Sequence, residues 1–212
     1  TVEELDAARQ ITNRSSGRMG VLIAQAAKLR GAEVDLVHGP IRLNKDLFEG
    51  LNTYSVKSSA NMEEKMNELQ PYAQVIVMAA AVSDFKKNSP SNQKISKEHF
   101  INSIFNNLEM TPDLIKNLSR KKLENQIFVG FAAETGSDSE IKAKGEKKRT
   151  SKGCDLLLAN PIDRNGQGFE ENFNSGFLLG PNKMVKEIAV QSKFAIANQL
   201  IDELLKFKSK LF

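Results

Sequence analysis

The chain has 212 residues, 40% of them hydrophobic, enough for one good core at the upper end of ordinary single-domain size. Its formal charge of +4 is mild and scattered, which suits phosphorylated small molecules and argues against nucleic acid. A single cysteine, Cys154, excludes an internal disulfide, and no apolar run is long enough to cross a membrane, so a cytoplasmic protein is expected.

The first residue is Thr1, and no apolar strand is read before Ile11, so residues 1–212 are expected to form one domain lacking its first strand. Ile11-Thr12-Asn13-Arg14-Ser15-Ser16-Gly17-Arg18-Met19-Gly20 then turns from polar residues into an amphipathic helix over 21–30. Two hydroxyls and a glycine at a helix start leave N–H groups for an anion, and Arg14 and Arg18 add charge. The plainer alternative is an ordinary Ser cap with two solvated arginines.

Gly31 closes this helix, residues 32–37 read as a strand ending at His38-Gly39-Pro40, and 52–57 as another. A helix over 59–70, capped by Ser58 or Ser59 and stopped by Pro71, leads to a strand over 73–80 that is apolar enough to be covered on both faces. Residues 83–100 are polar and aperiodic, as expected of a lid or a disordered segment, and 101–110 reads as a short strand. Thr111 is the expected cap of the next helix, with Pro112 at its first position.

A strand over 126–133, a charged helix over 139–152 and a strand over 155–159 follow, with Cys154 as a buried thiol. The basic runs 116–122 and 142–152 fall on helices and read as solvated faces. Residues 165–186 suggest a hairpin projecting from the sheet, and an amphipathic helix over 192–207 closes the chain. The alternation predicts an α/β fold: a doubly wound, mainly parallel Rossmann-like sheet with a projecting β-hairpin.

Ligands of such sheets bind beyond the carboxyl ends of the strands. Ser15-Ser16-Gly17, Ala79-Ala80-Ala81-Val82-Ser83-Asp84, Gly130-Phe131-Ala132-Ala133-Glu134-Thr135 and Ala159-Asn160-Pro161 all fall there, with Asp84 and Glu134 as carboxylates for a metal or a ligand hydroxyl. Lys94 and Lys97 can close over phosphates. No G-x-G-x-x-G follows a strand and no G-x-x-x-x-G-K-[ST] occurs, which excludes the standard dinucleotide and P-loop motifs. Neither Tyr54 nor Tyr72 has the lysine spacing of a short-chain reductase, and neither His38 nor His99 has a nucleophile context.

In this order, the 11–20 segment, Arg30-Gly31-Ala32 through Gly39-Pro40, Ala79 to Phe85, Lys94-Ile95-Ser96-Lys97, Thr111-Pro112-Asp113-Leu114-Ile115, Val129 to Thr135 and Asp155 to Asn160 resemble the phosphopantothenate–cysteine ligase family along almost the whole chain. In many bacteria this ligase is the C-terminal half of a bifunctional coenzyme A biosynthesis protein. The resemblance implies joining of 4′-phosphopantothenate to L-cysteine through an acyl-nucleotide, with CTP (or ATP) and Mg²⁺ and no FMN in this domain. It implies catalytic roles for Asn13 and Lys94, and substrate contacts at Asn13, Ala80 and Ala81. Nucleotide contacts follow at Met78, Ala79, Ala80, Asp84, Lys94, Pro112, Asp113, Leu114, Ile115, Phe131, Lys148 and Lys152, beside the anion turn Ser15, Ser16 and Gly17. No metal ligand is assigned.

Two departures stand out. Ser96 replaces the middle lysine of the family's lid motif, and the usual first strand and Gly-rich turn do not precede Thr1. The resemblance further implies a homodimer contacted through residues 169–179, and fusion to or association with a phosphopantothenoylcysteine decarboxylase. The alternation of Phe173, Ser175, Phe177 and Leu179 fits a face buried on a partner, or else a hairpin folded on its own sheet. The competing function is a catalytically inactive Rossmann-like nucleotide-binding module.

Overall fold

The computed structural model describes residues 1–105 and 107–208. The chain opens with an antiparallel hairpin of β1 (Val2–Asp6) and β2 (Arg9–Thr12), so strands do precede Ile11. Apolar patterning hides β1, because it buries Glu3 and Asp6 alongside Val2 and Leu5. Helix α1 (Arg18–Lys28) leads to β3 (Asp35–His38) and, after one 3₁₀ turn, to β4 (Asn52–Ser55), parallel to β3. Helix α2 (Ser59–Leu69) starts in a capping box between Ser58 and Asn61. The buried Glu3 carboxylate accepts the Ser59 N–H at 2.7 Å, which places an anion at the positive end of that helix.

Strand β5 (Val75–Met78) is followed by β6 (Phe85–Lys87), α3 (Lys97–Phe105), β7 (Leu108–Met110) and α4 (Leu114–Ser119). Then come β8 (Ile127–Glu134), α5 (Asp138–Ser151), β9 (Leu156–Pro161), β10 (Phe173–Leu179), β11 (Val185–Ser192) and α6 (Lys193–Lys208). The central sheet runs β11-β10-β9-β8-β5, with β5, β8 and β9 parallel and β10 antiparallel to both its neighbours, β9 and β11. Leu22, Val129, Leu158, Ile196 and Leu200 fill one face under α1 and α6; Met62, Leu118, Phe128 and Cys154 fill the other. Adjacent residues of β8 enter opposite clusters, so the period of two is what winds helices on both faces.

Several expectations are corrected. Residues 83–100 are not an aperiodic loop: β6 pairs with β7, and α3 begins at Lys97. The strand expected over 101–110 is helix through Phe105 and strand over Leu108–Met110, with residue 106 outside the described residues. Phe100, Ile101, Ile104 and Phe105 have helical spacing. Asp113, not Thr111, caps α4, and Pro112 precedes the cap. The hairpin lies further along the chain than 165–186, and β10 pairs with β9 inside the protein's own sheet, where Ser175, Phe177 and Leu179 are buried.

Strands β3 and β5 flank a gap. Among the described residues each pairs on one side, β3 with β4 and β5 with β8. Between them runs a cavity of about 870 Å³, walled by side chains such as Ile23, Val37, Met62, Met66, Val77 and Leu204.

Candidate functional site

Helix α1 begins at Gly17, whose φ of 73° is left-handed; a Cβ there would stand 2.5 Å from Ile41 Cγ2. Only glycine fits this entry. Helices α2, α4 and α5 are capped by Ser58, Asp113 and Ser137, whereas the N-cap of α1 supplies no side-chain hydrogen bond. Ser15 Oγ and Ser16 Oγ accept from the Gly17 and Arg18 N–H groups at 3.3 and 3.4 Å, longer than the usual 2.9–3.0 Å. These hydroxyls therefore sit where an anion would meet the helix start.

The charges around the turn differ from the simplest expectation. Arg14 is engaged with Glu170 at 2.6 Å. Lys193, unremarked in the sequence, is buried behind the turn and donates to the Phe169 carbonyl at 2.8 Å, which Ser16 Oγ also reaches at 3.3 Å. Burial, and then the Arg18 charge, hold its ammonium below the ordinary lysine pKa.

The loop after β5 meets this turn. Asn13 Nδ2 donates to the Val82 carbonyl at 2.9 Å, and the Thr1 ammonium donates to the Ala81 carbonyl at 3.2 Å. Asn13, Ser15, Gly17, Met78, Ala79, Ala80 and Ala81 share one cavity wall. Helix α1 lies close to this loop: a Cβ at Gly20 would make ordinary contact, 3.7 Å, with Ala79 Cβ.

The same loop continues to the second group. Thr111 donates from its Oγ1 to the Ser83 carbonyl and from its N–H to the Asp84 carbonyl, the latter at 3.0 Å. Asp113 caps α4 by accepting from the Lys116 N–H at 3.3 Å and faces Lys152 at 3.4 Å. Lys148 pairs with Glu134 at 2.6 Å, where β8 outruns β5 by Phe131 to Glu134. Asn13 is thus tied to the loop after β5, to which Asp84 belongs, Lys148 reaches the carboxyl end of β8, and Lys152, at the far end of α5, reaches back to Asp113. The Met78, Leu114 and Ile115 side chains are core, which leaves their backbone for any ligand contact.

Lys94 is exposed on the segment before α3, and it does not line the cavity that Asn13 lines. That segment is fastened to the opening hairpin: Ser91 N–H donates to the Leu5 carbonyl at 3.3 Å, and Asp6 and Arg9 hold Ile95. Sequence reading missed Asp6, Arg9 and Lys193, whose partners lie far along the chain, and gave Thr111 the role of a helix cap instead of a tie to the Ser83 and Asp84 carbonyls. Cys154 is buried as expected, and burial pushes its thiol up to about 11, far from a nucleophile. Among the described residues, no three His, Cys, Asp or Glu side chains gather as a metal site.

A mainly parallel sheet wound on both faces, with a glycine-entered helix and a small-residue loop at its carboxyl edge, defines a Rossmann-like α/β domain. The family model for the DNA/pantothenate metabolism flavoprotein C-terminal domain (DFP) matches residues 1–207, and the chain belongs to that family. It is 33% identical over 205 residues to the coenzyme A biosynthesis bifunctional protein CoaBC of Bacillus subtilis, covering 96% of this chain and 48% of that one. It is 34% identical to a cysteine/cysteine sulfinic acid decarboxylase of an unknown prokaryotic organism, covering 97% of this chain and 55% of that protein. The chain spans about half the length of these curated relatives. The crystal structure of the C-terminal domain of CoaBC superimposes with a TM-score of 0.80 at 28% identity, covering 99% of this chain and 93% of that chain.

Proposed function

We propose that the protein is a phosphopantothenate–cysteine ligase of coenzyme A biosynthesis, CTP-dependent, acting through an acyl-cytidylate. A single observation carries the reading. The glycine-entered start of α1 opens onto the cavity that Asn13 and Ala79–Ala81 also line, in a chain whose family match runs from residue 1 to 207.

The chemistry sets two demands. First, a carboxylate oxygen of 4′-phosphopantothenate attacks the α-phosphorus and pyrophosphate leaves, so two anions must be brought together. Helix N–H groups, Lys94, Lys148 and Lys152 lower that repulsion, and Asp84 stands at the same edge. Mg²⁺ carried on the triphosphate supplies further neutralisation. Second, the cysteine amine attacks the acyl carbonyl, CMP leaves and the amine loses a proton. Asn13, held at Val82, can donate to the carbonyl oxygen without offering a competing nucleophile. This reading includes a homodimer, a decarboxylase fused or associated, no FMN in this domain, no nucleic acid or membrane partner, and a cytoplasmic setting.

The test supplies 4′-phosphopantothenate, cysteine and Mg²⁺ with each of the four nucleoside triphosphates and follows pyrophosphate. Release should require phosphopantothenate and be greatest with CTP. Lys94→Gln should lower it by about 10²-fold while the melting temperature holds. Release without phosphopantothenate, or none with any nucleotide, defeats the proposal.

A further inference from the structure

The Asp6 side chain is fully buried in the β1–β2 turn, although a carboxylate there needs several donors to remain charged. It has them: the Ala8 N–H at 2.8 Å, the Arg9 N–H at 2.9 Å and the Arg9 Nε at 2.9 Å. A further donor comes from far along the chain, the Ile95 N–H at 3.2 Å. Arg9 completes the grip. Its guanidinium donates to the Ile95 carbonyl at 2.6 Å and lies 3.5 Å from the centroid of the Phe100 ring.

An ion pair therefore holds both backbone groups of one residue, and that residue sits between Lys94 and Lys97. Leu5 fastens the same segment on its other side, accepting from the Ser91 N–H and from the buried Lys87 ammonium, both at 3.3 Å. In the other direction, β2 runs from Arg9 to Thr12 and delivers Asn13 to Val82. Arg9 itself holds the Asp6 carboxyl well below the usual carboxylate range, so the pair stays charged through the physiological range.

We infer that Asp6 and Arg9 are a positioning pair that sets the lysine segment 94–97 in register with Asn13. The inference rests on the ligase reading for its consequence, but not for the grip itself. Because the hold is on backbone, it does not depend on the side chains at 94–97, and Ser96 can replace a lysine without releasing the segment. A lysine at position 9 would keep charge but lose the planar fork that reaches Asp6 and Ile95 together.

The experiment uses the full chain with Asp6→Asn and, because a buried substitution can unfold the protein, the milder Arg9→Lys. Three quantities are read: tryptic cleavage after Lys94 and Lys97, melting temperature, and pyrophosphate release with its KM for each substrate. Loss of the grip should speed cleavage at the two lysines by about tenfold, through local opening with the melting temperature held. Turnover should fall by about 10²-fold with KM for cysteine unchanged, as expected of lost alignment.

An Arg9→Lys protein that keeps the parent's cleavage rate overturns the grip. One that keeps the parent's turnover overturns its positioning role. If the parent itself releases no pyrophosphate, the ligase reading falls, while the cleavage comparison still decides the grip.

Discussion

Asn13 shows how much a site depends on one amide. Its Nδ2 donates to the Val82 carbonyl, and Asn13→Asp would turn a carboxylate oxygen toward that same carbonyl and put a negative charge beside the anion turn. The residue is exposed, so the fold should survive with an unchanged melting temperature. Coupled product, measured by mass spectrometry, should fall by about 10²-fold, the usual loss for one donor to a developing oxyanion. Product at the parent's level would remove Asn13 from the chemistry. The turn Ser15, Ser16 and Gly17 was legible as a helix start because its pattern is local, a polar run entering a helix at the residue that adopts positive φ, whereas Asn13 drew notice through the family resemblance. Asp6 was not legible, since what makes it matter is an N–H group 89 residues away. Lys193 likewise acts through Phe169, 24 residues earlier. A single sequence carries no sign of such a pairing.

At the scale of elements, legibility followed length. Helix α5 was legible as a long charged segment although its capping box of Ser137 and Glu140 was not read, and β8 as an apolar run whose Ile127, Phe128 and Val129 enter opposite clusters in turn. Strands β6 and β7 have three residues each, too few for a period of two to register. Strand β10 was legible as a strand, but its buried side could equally have been covered by a partner; Ile141 of α5 supplies the cover, clustering with Phe177 and Leu179. The packing of α5 on β9 and β10 is close. A Cβ at Gly145 would lie 2.7 Å from Leu179 Cδ1 and 2.8 Å from Ala159 Cβ. Gly145→Val should lift α5 off the sheet and cost about 1–3 kcal/mol in urea denaturation, despite better helix propensity. A stabilised variant would mean that α5 has room to move. Because α5 carries Lys148 and ends at Lys152, the same variant should also weaken the nucleotide binding proposed for these lysines.

At the largest scale, residues 1–105 and 107–208 leave the sheet divided between β3 and β5. Strands β3 and β5 run beside one apolar cavity of about 870 Å³, and among the described residues neither has a neighbour on that side. Unpaired backbone along an apolar slot is costly, and a parallel strand between them would satisfy both edges at once. Thr1 stands at the carboxyl-edge mouth of the slot, its ammonium on Ala81 and its Cα 3.5 Å from the position a Cβ would take at Gly39. A segment joined ahead of Thr1 can therefore run down the slot parallel to β3 and β5, without a crossover. Fusing an apolar strand of about five residues there should bury several side chains worth about 1.5–3 kcal/mol each, less the entropy of ordering the strand. A net gain of about 1 kcal/mol raises the melting temperature of a chain this size by about 2–4 °C. Amide exchange should slow along Asp35–His38 and Val75–Met78 together, because one strand protects both edges. Slowing at only one edge, or an unchanged melting temperature, would show that the slot does not take a strand. The Asn13–Val82 contact lies at the same mouth, so a fusion that seats correctly should also rigidify the proposed acyl-transfer site and raise turnover rather than lower it.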